Sequence, residues 1–264
     1  MDEAVKGLIV LGSIGFTFSV VLSFLSERFK VEENPLVEKI LKILPQINCG
    51  ACGFSGCEEF ARRVVEEKKL YTCIPGGEEV NKKIAEILGL KAEKIEVKKA
   101  VIRCGAKKEE KKVSFHYQGP SSCVAADILG GNIDCLYGCL GFGDCIEVCL
   151  EKAIFFDGTR VKVDIKKCVG CGKCIEVCPR NLISLVPYKE EVWFVACNNK
   201  DKGIKTRKVC KSGCIGCGIC ARLKESPFFI KDNLSFIDYS KMDNKEILFE
   251  AKNKCPVGCI VRDD

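Results

Sequence analysis

Hydrophobic positions along the chain follow three different patterns. Gly7 to Leu25 is an unbroken run of 19 uncharged residues, close to the roughly 20 that an α-helix needs to cross a bilayer. A secretory signal peptide would need a basic start and an Ala-x-Ala-like cleavage site. Here the chain starts Met1-Asp2-Glu3, and Ser-Glu-Arg-Phe-Lys follows the run, so the pattern predicts a retained membrane helix within an anchor at 1–30. Gly15, Ser19 and Ser23 put small residues on one face, which suits close helix packing in a membrane. Lys6 before the run and Arg28 and Lys30 after it leave the charge rule for orientation undecided. A helical period follows: Phe60, Ala61, Val64, Val65 and Leu70 share a face over Glu58 to Leu70, and a second amphipathic helix covers Glu78 to Leu88, with Gly89 placed as its C-cap. Further on, short alternating stretches replace the helical period. Arg160 to Ile165 reads as a strand with Val161 and Val163 on one side, and Trp193 sits in the core of a strand over Glu191 to Ala196.

These patterns predict an α+β chain: an N-terminal transmembrane helix, a small helical domain at 31–92, a linking α/β segment at 93–134, and two modules at 135–190 and 191–264. Composition then decides the chemistry. Of 264 residues 21 are Cys, one is His and two are Met. The cysteines fall into Cys-x2-Cys runs, which are metal-site spacing rather than a disulfide framework. Metal-bound cysteines are thiolates, so the Cys-rich part belongs in a reducing compartment, on the cytoplasmic side of the cell membrane. The near absence of His argues against His-containing zinc sites. The formal charge of +6 counts every cysteine as neutral. Four [4Fe–4S] clusters at about −2 each, thiolates included, would bring it to about −2, so the basic balance is no argument for nucleic acid.

The strongest motif is Cys168-x2-Cys171-x2-Cys174-x3-Cys178-Pro179, the bacterial ferredoxin run, whose fourth cysteine ligates the other cluster of a pair. Its partner lies upstream as Cys135-x3-Cys139-x5-Cys145-x3-Cys149. The halves repeat at an offset of 29, so that Cys145-Ile-Glu-Val-Cys149 answers Cys174-Ile-Glu-Val-Cys178. Crossed ligation then assigns Cys135, Cys139, Cys145 and Cys178 to one cluster, and Cys168, Cys171, Cys174 and Cys149 to the other. Ile146, Val148, Ile154, Ile175, Val177 and Ile183 are expected to pack between them. Cys49, Cys52, Cys57 and Cys73, in Asn48-Cys-Gly-Ala-Cys-Gly-Phe-Ser-Gly-Cys, form a separate set, with glycines that let the backbone wrap a bulky cofactor. Cys210-x3-Cys214-x2-Cys217-x2-Cys220 opens a third module that then degrades. Ser235 to Tyr239 matches Val161 to Ile165, which aligns Met242 with Cys168 and removes one cluster. The closing Cys255-Pro256 survives, and Cys255 is expected to join Cys214, Cys217 and Cys220.

Five cysteines are left over. Cys104 and Cys197 each end an apolar run that a lysine-rich stretch follows, and Cys123 and Cys210 come next. Cys104, Cys123, Cys197 and Cys210 are therefore the candidate ligands of a fifth cluster, with buried free thiols as the alternative; Cys210 could also compete for the neighbouring site. Cys259 has no assignment. No phosphate loop or dinucleotide fingerprint is present, and His116 reads as an ordinary surface or strand residue. With no acid–base pair or substrate pocket in view, the chain reads as an electron carrier.

The order of these parts resembles the B-type subunit of the Rnf complex, the ion-translocating ferredoxin:NAD+ oxidoreductase. The resemblance rests on the single apolar helix, the Cys-Gly-Ala-Cys-Gly-x-x-Gly-Cys domain, Tyr137-Gly-Cys-Leu-Gly-Phe-Gly-Asp-Cys145, Asp201-Lys-Gly203 and Gly213-Cys-Ile-Gly-Cys217. The truncated last module and Cys259, where the ferredoxin pattern usually has Ala, depart from it. The resemblance implies a translocase subunit that accepts electrons from soluble ferredoxin and relays them to partner subunits, which bind NAD(H) and move Na+ or H+. Acidic ferredoxin would dock near Lys166, Lys167, Lys173 and Arg180. The first cluster domain also resembles one in corrinoid iron–sulfur proteins, but no corrinoid-binding domain follows it.

Overall fold

The computed structural model describes residues 3–28, 34–90, 96–242 and 244–263; the sequence boundaries at 30/31 and 92/93 lie outside them. Helix α1 (Glu3–Arg28) exposes its apolar side chains from Leu8 to Leu25. Among the described residues it is the one helix long and apolar enough to cross a membrane. Its hydroxyls turn back onto their own helix: Thr17 donates to Ser13 O at 3.0 Å and Ser19 to Gly15 O at 2.9 Å. Such back-bonding lets a polar side chain sit in hydrocarbon without a loose donor.

The helical domain comprises α2 (Pro35–Ile43), α3 (Cys57–Glu67) and α4 (Gly77–Leu88). Asn34 caps α2 by accepting from Leu36 N at 3.0 Å, with Pro35 at the first helical position, where its missing N–H costs nothing. Phe60, Ala61 and Val64 of α3 are buried against Ile40 of α2 and Ile84 of α4. Each of the larger side chains contributes roughly 1.5–3 kcal/mol. The apolar face predicted for α3 is the one buried, and Gly89 closes α4 in the left-handed region at φ 68°. The sequence pattern did not single out α2.

The rest of the chain builds one topology twice. Its elements run β1 (Lys98–Ile102), α5 (Cys123–Ile128), α6 (Asp144–Glu147), β2 (Ile154–Phe156), β3 (Val161–Val163), α7 (Lys173–Glu176) and β4 (Ile183–Pro187). After them come β5 (Val192–Val195), α8 (Gly203–Val209), β6 (Phe228–Lys231), β7 (Leu234–Ile237), α9 (Lys245–Lys254) and β8 (Ile260–Asp263). An outer antiparallel pair encloses a hairpin in each copy: β1–β4 around β2–β3, then β5–β8 around β6–β7. Strand β1, which lies in the segment expected to be a linker, is thus the first strand of a module, and residues 103–134 leave that module and return to it. Val101, Ile165 and Val186 of the first copy share a buried core with Val192, Phe194 and Ala196 of the second. Gly105 N donates to Ala196 O at 2.8 Å and ties the ends of β1 and β5 together.

Trp193 is fully buried in β5, as its pattern predicted, with Phe249 edge-on at 5.0 Å. Helix α9 explains the degraded half of the second copy. Adding the offset that aligns Met242 with Cys168 puts Lys245 and Leu248 where Cys171 and Cys174 stand in the first copy. Leu248 is buried, Met242 packs in the same core, and Ala251 completes the plug. Apolar packing occupies that place.

Candidate metal centres

Every cysteine is a free thiol, and 20 of the 21 fall into five sets of four. Cys49, Cys52, Cys57 and Cys73 converge at the mouth of the helical domain. Burial pushes the Cys73 thiol up to about 11, with Cys57, Cys52 and Cys49 close enough to add to it. Asn81, itself buried, clamps the Cys73 backbone from both sides: Cys73 N donates to its Oδ1 at 2.7 Å and its Nδ2 donates to Cys73 O at 2.8 Å. Asn48 Oδ1 accepts from Cys57 N at 2.8 Å and holds the first loop onto the start of α3.

The second set is Cys149, Cys168, Cys171 and Cys174, the four that crossed ligation groups from the sequence. It rings a pocket of about 450 Å³ that Cys49 of the first set also lines. The third set rings a pocket of about 400 Å³ with Cys139, Cys145 and Cys178, and its fourth member is Cys123. The sequence grouping had put Cys135 there and Cys123 with Cys104, Cys197 and Cys210; in the structure the two change places. The offset of 29 gives the reason. Cys139, Cys145 and Cys149 answer Cys168, Cys174 and Cys178, but Phe142 stands opposite Cys171. The ligand missing from the loop comes from the N-terminus of α5. The Asp144 carboxylate holds it there, accepting from Cys123 N at 2.7 Å and from Ser122 Oγ at 2.9 Å. Burial pushes Cys145 up to about 12, with the charges of Cys139, Cys123, Cys178 and Cys174 adding to it.

Backbone donors repeat at the same offset. Ala153 N donates to Cys149 Sγ at 3.3 Å and Leu182 N to Cys178 Sγ at 3.4 Å. Gly141 and Gly170 both take positive φ, 85° and 71°, in the loops that carry the thiols. At Gly170 a Cβ would fall inside contact distance of Lys98 O, so the loop reaches β1 only without a side chain.

The fourth set is Cys104, Cys135, Cys197 and Cys210, around a pocket of about 350 Å³ between the two modules. The fifth is Cys214, Cys217, Cys220 and Cys255, the four grouped from the sequence, around about 330 Å³. Cys259 joins its lining, with its Sγ 3.6 Å from Cys255 Sγ. It stands four residues after the closing cysteine, like Ala153 and Leu182, and its hydrogen bond holds the Cys255 thiol down at about 5. The same thiol lowers Cys214.

Tetrahedral zinc, with Zn–S near 2.3 Å, would draw four sulfurs to within about 4 Å of one another. Among the described residues no three Cys, His, Asp or Glu side chains are close enough to share one metal ion. Sets of four thiols around open pockets suit a group that binds each sulfur through a different iron.

Arg180, expected on a docking surface, is not available for it. Its side chain is 5% exposed; Nε donates to Asp127 Oδ1 at 2.7 Å, and the guanidinium also donates to the carbonyls of Cys135, Gly138 and Gly130 at 2.8 to 3.0 Å. Lys166 and Lys167 are exposed beside Cys168.

A family model described as "Putative Fe-S cluster" matches residues 44–75, and one described as "4Fe-4S dicluster domain" matches residues 133–182 and 167–223. The chain is 37% identical to the B-type subunit of the proton-translocating ferredoxin:NAD(+) oxidoreductase complex of Clostridium ljungdahlii, over 98% of this chain and 93% of that protein. The B-type subunit of the Na(+)-translocating ferredoxin:NAD(+) oxidoreductase complex of Acetobacterium woodii is also 37% identical, over 96% of this chain and 76% of the relative. The B-type subunit of an ion-translocating oxidoreductase complex of Methanosarcina acetivorans is 36% identical over 84% of each chain.

Proposed function

The chain belongs to the B-type subunit family of the ion-translocating ferredoxin:NAD+ oxidoreductases, and on that premise we propose that it is the multi-cluster electron carrier of such a membrane complex. Its cysteine sets would hold [4Fe–4S] clusters: Cys49, Cys52, Cys57 and Cys73; Cys149, Cys168, Cys171 and Cys174; Cys123, Cys139, Cys145 and Cys178; and Cys214, Cys217, Cys220 and Cys255. When bound, each cluster supplies one-electron storage at a potential tuned by its hydrogen bonds, nearby charge and exposure. The chain's own part is to fix the thiols and aim N–H donors at them. The amides of Ala153 and Leu182, each on the closing cysteine of a neighbouring set, do the same work twice.

The observation that carries this reading is the file the sets form. Cys49 lies beside Cys171, which it helps to raise after burial. Cys145 feels both Cys178 of its own set and Cys174 of the next. Ferredoxin would deliver electrons at the face carrying Lys166, Lys167 and Lys173, and the other subunits would receive them. Helix α1 would anchor the chain, with the cysteine-bearing part on the cytoplasmic side. The division into anchor, helical cluster domain, two-cluster module and one-cluster module is part of the same proposal, with β1 added to the two-cluster module.

Purification from native membranes tests it. Other subunits of the complex should accompany the chain through detergent extraction, and alkaline carbonate alone should not release it. The visible absorbance should bleach with dithionite and recover on oxidation. A colourless, zinc-loaded chain, or one released by carbonate, would refute the reading.

A further inference from the structure

Cys104 and Cys197 lie outside both ferredoxin-like runs and Cys135 and Cys210 each stand at the head of one, yet the fold brings all four to one pocket. Cys104 follows β1 and Cys197 follows β5, the same strand in the two copies, and the bond from Gly105 N to Ala196 O lays these strand ends side by side. Cys210 arrives at the end of α8, where a single bridge to Lys111 holds it. Cys135 arrives at the end of the returning segment, whose loop Arg180 fixes through the Cys135 carbonyl. Burial, and beyond it the thiols of Cys104 and Cys210, raise Cys135. Burial pushes Cys197 up to about 12, with Cys214 and Cys104 adding to it. These are closely set, mutually unfavourable thiols, an arrangement that apolar packing alone would not need.

The pocket is also furnished for sulfur ligands carrying charge. Cys139 N donates to Cys104 Sγ at 3.3 Å, and Cys214 N to Cys197 Sγ at 3.2 Å. Asn199, 2% exposed, donates its side-chain Nδ2 to Cys135 Sγ and its backbone N to Cys197 Sγ, both at 3.5 Å. Four N–H donors aimed at three thiols form the hydrogen-bonded surround that tunes a cluster's potential. Lys111 and Arg103 line the same pocket and bring positive charge to it.

We propose that Cys104, Cys135, Cys197 and Cys210 ligate a further [4Fe–4S] cluster, which is the link between the two ferredoxin-like modules. This rests on the electron-carrier reading and deepens it. The two amides that reach this pocket from outside belong to Cys139, a member of the set before it, and Cys214, a member of the set after it. An electron crossing between the modules therefore has a path of adjacent thiol sets; one electron enters the site and one leaves, with no proton moved and no bond made or broken.

Full-length protein, purified anaerobically in detergent, tests the grouping through iron and acid-labile sulfide. Five clusters give about 20 irons per chain and four give about 16. Cys104→Ala/Cys135→Ala should hold about 16, no fewer than either single variant, because both cysteines serve one site. Cys123→Ala/Cys135→Ala should fall to about 12, because they serve two. The reverse result, with Cys104→Ala/Cys123→Ala at about 16 and Cys104→Ala/Cys135→Ala at about 12, overturns the assignment. So does a native content of about 16. Should the cysteine variants fail to fold, Asn199→Ala leaves all thiols in place. In a potentiometric titration followed by electron paramagnetic resonance it should move one midpoint to more negative potential and leave the others; no movement overturns the proposal. In either failure the remaining four clusters still bleach with dithionite, which separates loss of this site from loss of the electron-carrier reading.

Discussion

Removing the Arg180 side chain should loosen two cysteine sets at once and leave the others alone. Its guanidinium lies directly after Cys178-Pro179 and is almost wholly buried. It binds Asp127 at 2.7 Å and the carbonyls of Cys135 at 2.8 Å and of Gly138 and Gly130 at 3.0 Å. It thereby fastens the 127–138 loop to the closing cysteine of another site. Hydrogen bonds to a charged group contribute about 1.5–3 kcal/mol each, but four on one side chain do not add. Breaking a buried ion pair by deleting one partner costs about 3–5 kcal/mol. Asp127 is 33% exposed and regains water, which places the loss at the low end, about 3 kcal/mol. At 1.4 kcal/mol per factor of ten, Arg180→Met should raise local opening of that loop by roughly a hundredfold. The assay is anaerobic iron release to an excess of a ferrous chelator. About eight irons per chain, those held through Cys135 and Cys139 and their partners, should leave roughly a hundredfold faster, with the remainder unchanged. Arg180→Lys keeps a charge for Asp127 but lacks the fork that reaches three carbonyls, so it should fall between. Release from Arg180→Met within about threefold of the native protein would refute the reasoning.

Gly170→Ala should displace the loop carrying Cys168 and Cys171 from β1, since it meets Lys98 O at a left-handed φ of 71°; strain of about 1–2 kcal/mol before any clash should appear as loss of about four irons, and full retention would count against that contact. Charge reversal at Lys166, Lys167 and Lys173 should slow reduction by acidic ferredoxin at low ionic strength and have little effect near 1 M salt, where the Debye length is about 3 Å; equal rates at low salt would show that docking lies elsewhere. Loading of the apo-protein with iron and sulfide should depend steeply on pH near neutrality at one site and little at another. Cys174, held up at about 12 by burial, keeps its proton at neutral pH and must lose it to bind metal, so its set fills faster as pH rises. Cys255, held down at about 5, is already a thiolate at pH 7 and stops being one only as pH falls through 5, so its set should fill first at pH 6.5. Cys259→Ala should abolish that lead, as followed by alkylation of unprotected thiols.

Much of this protein is legible from local pattern because metal ligation and bilayer crossing leave short-range signatures. The uncharged run from Gly7 fixes a helix of membrane-spanning length, since nothing polar interrupts it. The face carrying Phe60, Ala61, Val64 and Val65 fixes which side of α3 is buried. Cys168 to Cys178 fixes the grouping of its set and, through the offset of 29, the arrival of Cys149 from the other half. Cys255 rejoins Cys214, Cys217 and Cys220 for the same reason, and Met242 marks the loss of a neighbour. What the sequence left undetermined depends on residues far apart in the chain. Nothing local says that Lys98 to Ile102 pairs with Ile183 to Pro187, because a five-residue strand finds its partner by burial and register. Nothing local decides between Cys123 and Cys135 either. Phe142 opposite Cys171 shows that a ligand is missing, but its replacement is set by Asp144 anchoring α5, and Cys135 is carried away by a loop that Arg180 holds from 42 to 53 residues distant. The grouping of Cys104 with Cys197 exists only because β1 and β5 end side by side, a contact between two modules. Tertiary structure decides such sites because their four ligands sit on four separate segments, and only the packed fold sets the distances between those segments.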